Sequence, residues 1–142
     1  MGIPNAVFFT WVEDELSNGN SVTITVKGFS MLPILRSNRD CVRIVKCSAN
    51  ALKPGDITLF KSRGIHILHR FIKTDGDAYI MRGDNVFSHY ETCYADDILG
   101  KVVLIKRGSK EISPNAHIWR LIIFLWRIKG LAYQAVSKKL NK

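Results

Sequence analysis

Apolar and polar residues alternate along most of this chain in short segments that are typical of half-buried β-strands. Residues 21–26 carry the first such pattern and residues 65–73 the longest, and turn-forming residues separate the segments at short intervals. The chain is therefore predicted to form a mainly antiparallel β domain. Further strands are predicted at residues 41–46, 57–61, 78–82 and 99–106, and residues 86–97 are predicted to be irregular.

Apolar residues at helical spacing occur towards both ends of the chain. Residues 4–16 are predicted to form a short helix, because Pro4 suits a first turn and the run Asn18-Gly19-Asn20 can end it. This stretch is too short to span a bilayer, so we expect it to pack on the β domain. Its regularly spaced apolar residues are Val7, Phe8, Trp11, Val12 and Leu16.

A second helix is predicted to be capped by Ser113 or Asn115 and to run to about Leu140. Its polar stripe is narrow, and most other positions between 119 and 128 are apolar. A surface of this kind must be covered by the domain itself, by a partner or by lipid. The polar stripe consists of Arg120, Arg127, Gln134 and Lys138.

Charge divides the chain in the same way as the hydrophobic pattern. The net charge is +9, but residues 1–100 hold 11 basic and 11 acidic residues, whereas residues 101–142 hold 10 basic residues and the single acid Glu111. We infer three parts: an N-terminal helix at residues 1–20, a β domain at residues 21–108 and a basic amphipathic helix at residues 113–142.

The cysteines and the N-terminal residues indicate a cytoplasmic protein. Cys41, Cys47 and Cys93 share no metal-ligand spacing, and their odd number argues against a closed disulfide framework. The apolar stretch at residues 6–12 is ended by three acidic residues and follows no basic segment, so we expect no secretory signal. Neither a metal nor a cofactor is expected.

Ser30 directly follows the first predicted strand. Gly28 permits a sharp bend there, and Pro33 prevents a long helix from following. Such a bend can expose a serine hydroxyl beside free backbone amides, which is what a nucleophile needs. Most serines in turns instead cap their own backbone, so the nucleophilic interpretation depends on the residues that follow.

A general base has four candidates: His66, His69, His89 and His117. Alternation along residues 65–73 puts His69 on one face of the strand with Ile65, Ile67 and Phe71, and puts His66 on the other face. Apolar neighbours disfavour the imidazolium ion, so His69 would remain a neutral base at pH 7. A histidine that merely fills the core is the alternative.

Five short motifs follow one another in an order that resembles the type I signal peptidases, over roughly residues 22–106. They are Gly28-Phe29-Ser30-Met31-Leu32-Pro33, Lys53-Pro54-Gly55-Asp56-Ile57, Leu68-His69-Arg70-Phe71, Arg82-Gly83-Asp84-Asn85 and Leu99-Gly100-Lys101-Val102. In that family the serine of the Ser-Met pair is the nucleophile, and the residue before the arginine is the general base. That base is lysine in most bacterial members and histidine in the endoplasmic-reticulum and archaeal types. The SOS-repressor autoproteases share the fold and a Gly-x-Ser-Met motif but use lysine.

The chemistry that this resemblance implies is acyl transfer. Ser30 Oγ would attack a peptide carbonyl while His69 takes its proton and later gives it to the leaving amine. Backbone amides at Ser30 and Met31 would hold the oxyanion. Asp84 is predicted to orient His69 as the third catalytic residue.

Two departures from the family pattern leave parts of this site open. Many signal peptidases carry a serine two residues before the nucleophile as an oxyanion donor; here that place belongs to Gly28, so the oxyanion site must be built from backbone amides. The acidic pair of the His-type members is replaced by Phe87-Ser88-His89-Tyr90-Glu91. The third catalytic residue is therefore open among Asp84, Glu91 and Asp96, and a Ser–His dyad is a further alternative. The family's N-terminal transmembrane helix is also missing from this sequence.

By resemblance, the chain is expected to be a serine endopeptidase that cuts a leader or signal segment from a peptide or preprotein. The substrate would lie extended along a strand edge and be cut after small residues. A catalytically inactive module that binds a peptide or a partner on the same fold is the main alternative. Nucleic-acid binding, which the pI near 9.7 suggests, ranks last because the excess positive charge is confined to an apolar helix.

The basic C-terminal segment, residues 115–140, is expected to lie on an anionic membrane surface or an acidic partner without spanning the bilayer. Arg120, Arg127 and Lys129 interrupt its apolar run, and each central Arg or Lys costs roughly 2.5–3.5 kcal/mol on insertion scales. Trp119 and Trp126 suit an interface. The alternatives are packing on the domain's own core and a mixed arrangement with one apolar side docked and another exposed. The protein is thus expected to be peripheral to the membrane.

Overall fold

The computed structural model describes residues 5–115 and 117–140 of the chain, with side chains at residues 7–115 and 119–132. Two α-helices flank a set of β-strands. The helices are α1 (Asn5–Ser17) and α2 (His117–Leu140). The strands are β1 (Val22–Thr25), β2 (Asp40–Lys46), β3 (Ile57–Ser62), β4 (Ile65–Asp75), β5 (Ala78–Arg82), β6 (Glu91–Cys93), β7 (Ile98–Arg107) and β8 (Lys110–Ile112).

The strands of the described residues form one antiparallel sheet that curls like half of a barrel. Its order is β1-β2-β7-β3-β4-β5-β6, with β8 pairing to β7 beside this path. Register shifts in the β2–β7, β3–β7 and β4–β5 pairs accompany the curl, as bulges do in bent sheets. The predicted fold class, a mainly β domain with a short N-terminal helix and a C-terminal helix, is confirmed.

Two groups of buried side chains hold the sheet together. The larger group joins α1 to β1, β2 and β7, and Val12 and Leu16 of α1 are almost fully buried in it. The smaller group lies between β3, β4 and β5, around Phe60, Phe71 and Met81. Ile67 packs on this second group together with Phe71, as expected for two residues on one face of β4.

The predicted boundaries agree with the observed strands within about two residues, and two strands differ from the prediction. β6 lies inside the stretch predicted to be irregular, and β8 follows the last predicted strand. Each has three residues, which is too short for alternation to be visible in the sequence. Pro4 lies outside the described residues. α2 begins at His117, so neither of the predicted caps, Ser113 and Asn115, directly precedes the helix.

α2 is docked along one side and exposed along the other. Trp119, Ile122 and Ile123 pack on the larger core group, whereas Phe124 and Leu125 are more than half exposed. This is the mixed arrangement that the sequence left open. No helix in the described ranges is long and apolar enough to cross a membrane.

A buried carboxylate ties the loop after β1 to the sheet. Asp40 is fully buried and accepts hydrogen bonds from Arg107 Nε at 2.9 Å, from Arg39 Nε at 3.0 Å and from the Arg36 backbone N–H at 2.8 Å. Arg107 also donates to the Ile34 carbonyl at 3.0 Å. Burial alone would raise the pKa of Asp40, but the hydrogen bonds from Arg107, Arg39 and the Arg36 amide lower it to about 2.

We expect Asp40→Asn to lower the free energy of unfolding at pH 7 by about 2 kcal/mol, because the folded-state pKa lies well below the unfolded value of 3.8. A depressed carboxyl pKa stabilises the fold above the unfolded pKa and stops doing so as the pH falls through the folded pKa. The difference between wild type and variant should therefore shrink between about pH 4 and pH 2. Urea unfolding of both proteins between about pH 2 and pH 7 measures this difference in unfolding free energy.

The matched control is Asp77→Asn, in the exposed turn between β4 and β5. It should change the unfolding free energy little at any pH. A loss of equal size in both variants, or a difference that persists below pH 2, would contradict the role assigned to Asp40.

Candidate active site

Ser30 lies in a tight turn where the chain leaves β1. Gly28 adopts a φ of +83°, a left-handed conformation that favours glycine, and the backbone then turns through residues 30–34. The Leu32 N–H donates to the Phe29 carbonyl at 3.3 Å, and the Leu35 N–H donates to the Met31 carbonyl at 2.9 Å. Ser30 itself is partly exposed at this turn.

Asn85 holds the Ser30 turn through two hydrogen bonds. Its backbone N–H donates to the Ser30 carbonyl at 2.8 Å, and its side-chain Nδ2 donates to the Phe29 carbonyl at 3.1 Å. Its Oδ1 in turn accepts a hydrogen bond from Trp126 Nε1 of α2 at 2.9 Å. The loop after β5, the serine turn and the C-terminal helix are therefore joined through one asparagine.

Gly83 brings the serine turn and the histidine together. A Cβ at this position would lie 2.5 Å from the Ser30 carbonyl oxygen and 3.1 Å from His69 Nε2. Any side chain here would collide with the Ser30 backbone. The missing side chain of Gly83 thus allows β5, Ser30 and His69 to meet at one point.

His69 is buried on the inner face of β4, with 7% of its surface exposed. Its ring packs edge-on against Phe60, with centroids 6.2 Å apart. Burial lowers the pKa of His69 below its usual 6.5, and this outweighs the opposing charges of Glu91 and Asp84; His89 lowers it slightly more. His69 is therefore a neutral imidazole at pH 7, as an acceptor of protons must be.

Ser30 and His69 line the same groove. Nε2 is the ring nitrogen near the Ser30 backbone, whereas Nδ1 is buried and hydrogen-bonds to no residue that the structure describes. No hydrogen bond joins the Ser30 hydroxyl to His69 within the described ranges. The structure thus places the two predicted residues on the same groove, without a hydrogen bond between their side chains.

Asp84 sits beside this point but faces Arg70. Arg70 donates from Nε to Asp84 Oδ1 at 2.9 Å and from NH2 to Oδ2 at 2.8 Å, and its NH1 donates to the Gly55 carbonyl at 2.7 Å. Both carboxylate oxygens are therefore bound by one guanidinium, and neither is bonded to His69. Asp84 as the orienting residue stays a prediction, and its observed contacts are those of a residue that holds three loops together.

The two other acidic candidates lie differently around His69. Glu91, in β6, has the largest carboxylate influence on the pKa of His69, ahead of Asp84, although it is not hydrogen-bonded to the ring. Asp96 lies exposed in the short 3-10 turn before β7. The arrangement is therefore nearer to a Ser–His dyad with two acids at longer range than to a bonded triad.

The predicted oxyanion donors are available. Among the described residues, neither the Ser30 nor the Met31 backbone N–H donates a hydrogen bond to another group. Both amides lie at the turn that carries the serine hydroxyl. Their role as oxyanion donors stays a prediction, which these unpaired amides leave open.

A groove of about 840 Å³ leads away from Ser30 and His69 between β1, β4 and α1. β1 pairs with β2 on one side, and in the described part of the chain its other edge is unpaired and borders the groove. Phe8 and Phe9 of α1 form its far wall. His66 also lines it there, stacked on Phe9 with ring centroids 4.2 Å apart and with Nε2 3.5 Å from Glu13 Oε1.

Other reactive side chains do not form a comparable centre. The described residues contain no group of histidines, cysteines and acids that could hold a metal ion. The three cysteines are free thiols, and burial raises the pKa of Cys93 to about 12 and also raises that of Cys47. Ser88 and His89 are in contact at 3.3 Å, but both are exposed, and neither lines the groove.

Sequence reasoning missed the residues that assemble the site. Gly83, Arg70 and Asn85 belong to the recognised motifs, but no role was assigned to them. Their place in the motifs was the available signal. Residues that lie next to a candidate nucleophile or base in a motif commonly hold it in position. Phe8 was predicted as one of the regularly spaced apolar residues of α1, without its place in the groove, and Phe9 was not singled out.

Comparison with protein-family models produced no match, and comparison with curated proteins produced none either. The resemblance to signal peptidases therefore stays a prediction that rests on the motifs of the chain.

We expect Gly83→Ala to raise the pKa of His69 toward 6.5. The added Cβ collides with the Ser30 backbone, and the displaced loop opens the buried imidazole to water, which removes the cause of its lowered pKa. NMR titration of the histidine Cε1–H resonances measures this shift. Gly76→Ala is the control, because a Cβ there meets nothing within 4 Å. Its positive φ costs stability without affecting His69. An unchanged His69 titration in folded Gly83→Ala protein would contradict the proposed close approach.

Proposed function

We propose that this protein is a serine endopeptidase resembling signal peptidases, which cleaves a leader or signal segment from a peptide or preprotein. Ser30 is the nucleophile and His69 is the general base. The observation that carries the proposal is the meeting of three separate segments at Gly83, where the Ser30 backbone and His69 Nε2 both lie within about 3 Å of one point. The segments come from three of the motifs on which the resemblance rests.

The proposed reaction begins with proton transfer from Ser30 Oγ to His69 Nε2 as the oxygen attacks the substrate carbonyl. We expect a rotation of the serine side chain to bring Oγ to the ring, since Ser30 and His69 line the same groove. The free amides of Ser30 and Met31 stabilise the oxyanion. His69 then gives its proton to the leaving amine, and water hydrolyses the acyl-enzyme by the same steps.

The substrate is proposed to bind as an extended segment beside β1. The unpaired edge of β1 offers backbone N–H and C=O groups to such a segment, and this is the usual way in which a sheet edge recognises a peptide. Successive side chains of an extended peptide point to opposite sides, so every second one faces the groove. Phe8, Phe9 and Met31 give that groove apolar walls, which favour apolar side chains in the substrate.

A binding module without catalytic activity is the second candidate, and one observation favours it. In a working serine centre, the imidazolium that forms is stabilised by a partner at Nδ1, and here Nδ1 has no hydrogen-bond partner in the described part of the chain. The long-range charges of Glu91 and Asp84 supply a weaker form of that stabilisation. The two candidates share the groove and differ in whether Ser30 reacts.

Replacement of either proposed catalytic residue should abolish cleavage. We expect Ser30→Ala and His69→Ala each to lower the rate on the order of 10⁴-fold or more, and the double variant to be no slower than either single variant, because the pair acts as a unit. Incubation with a mixture of extended peptides of varied sequence, followed by mass spectrometry of the products, identifies a cleaved substrate. Rates are then measured on that substrate.

Ser88→Ala is the matched control for Ser30→Ala, because it removes an exposed serine that lies outside the groove. It should cleave at the wild-type rate. Equal cleavage by wild type and Ser30→Ala would rule out the proposed mechanism. Saturable binding of peptides with no cleavage by the wild type would favour the inactive module.

A further inference from the structure

We propose that the exposed face of α2 docks this protein onto a bilayer that contains anionic phospholipid, with the helix lying in the plane of the membrane. This surface, which we call the α2 outer face, consists of Leu121, Phe124, Leu125, Ile128 and Leu131. Each of the five side chains is between 50% and 61% exposed. The inference does not depend on the proposed peptidase activity.

The α2 outer face is a continuous apolar strip. Phe124 and Leu125 are adjacent, and the other successive residues are three apart, so at 3.6 residues per turn all five share one side of the helix. Five large apolar side chains held in water along almost three turns are costly, and an unpartnered patch of this kind indicates a binding surface. The helix cannot rotate to bury this face, because its opposite side packs on the β domain.

Specific contacts on that opposite side fix the rotation of α2. Trp126 donates to Asn85, and Arg127 donates to the Val86 carbonyl at 3.2 Å. Gly130 receives the Phe87 ring so closely that a Cβ there would lie 2.3 Å from Phe87 Cζ. The domain therefore presents the α2 outer face in a preset orientation.

Basic side chains border this face on both sides. By helical geometry, Arg120 lies along one border of the strip and Lys129 along the other, and both are exposed. The Lys129 ammonium sits 5.7 Å from the centre of the Trp126 ring. Long basic side chains at the edges of an apolar strip can reach phosphate groups while the strip enters the acyl region, which is the arrangement of an interfacial helix.

A cleft of about 430 Å³ opens beside the Arg120 border, between α2 and the turn before β3. Lys53, Arg120 and Arg127 line it, and none of the three is paired with a carboxylate within the described ranges. Phe124 of the α2 outer face lines the same cleft. Cationic groups next to an apolar strip are complementary to a phospholipid, in which an anionic phosphate is attached to apolar acyl chains.

The charges also argue against a second copy of this chain as the occupant. A two-fold dimer through the α2 outer face would bring two such faces together, and it would oppose cationic borders with the same cationic borders. Residues 101–142 hold 10 basic residues against one acid, so the partner surface would repel at its rim. An anionic bilayer removes that repulsion and covers the same apolar area.

Flotation of the full-length protein with vesicles tests this docking. We expect binding to vesicles of phosphatidylcholine mixed with phosphatidylglycerol and little binding to phosphatidylcholine alone, with the difference reduced at high salt. Leu121→Gln combined with Leu125→Gln should lower the partition coefficient at least tenfold. Arg120→Gln and Lys129→Gln should each lower it about fivefold.

Two substitutions elsewhere serve as controls. Val7→Gln removes an equally exposed apolar residue from α1, and Lys110→Gln removes an exposed basic residue from β8. Neither should change partitioning more than twofold. The proposal is overturned if the wild type ignores anionic vesicles or if the leucine variant binds as well as the wild type. It is also overturned if sedimentation shows a dimer that the leucine variant dissociates while vesicles bind neither protein.

Discussion

The approach of Gly83 to the Ser30 carbonyl and to His69 Nε2 is the constraint on which the candidate site depends. Three chain segments that are far apart in sequence share a space in which a single methyl group would collide with the backbone. Packing this close is not adjustable, because a displaced loop would also lose the Asn85 hydrogen bonds to the Ser30 and Phe29 carbonyls. The position of the Ser30 backbone relative to His69 is thus fixed by main-chain packing at Gly83.

Two buried ion pairs support this arrangement from different sides. Asp40 with Arg107 secures the far end of the serine loop, and Asp84 with Arg70 secures the loops on either side of His69. Buried pairs of this kind contribute little net stability compared with apolar side chains, but the loss of one partner leaves an uncompensated charge. Their value here is geometric, because each arginine also binds a backbone carbonyl and so links separate loops.

Several features could be predicted from the sequence because they are local. Alternation records which side of a strand is buried, so β4 and the burial of His69 were predictable, whereas β6 and β8 are too short to show a period. The order of the motifs identified the serine and the histidine. The role of Gly83 could not be predicted from the sequence. It depends on which atoms of other segments pack against this residue in the folded protein. For the same reason, the sequence could not show that Asp84 is bonded to Arg70, fourteen residues away.

The C-terminal helix connects the proposed catalytic region to the α2 outer face, since Trp126 is bonded to the asparagine that holds the serine turn. The central claim remains that Ser30 is activated by His69, and covalent labelling tests it most directly. A fluorophosphonate probe phosphonylates an activated serine hydroxyl, and peptide mapping identifies which serine carries the adduct. The account predicts an adduct on Ser30 that is absent from His69→Ala protein and whose rate falls with a midpoint below pH 6.5, where the buried imidazole becomes protonated. Labelling that is spread over other serines, or labelling of Ser30 that is independent of His69, would contradict it.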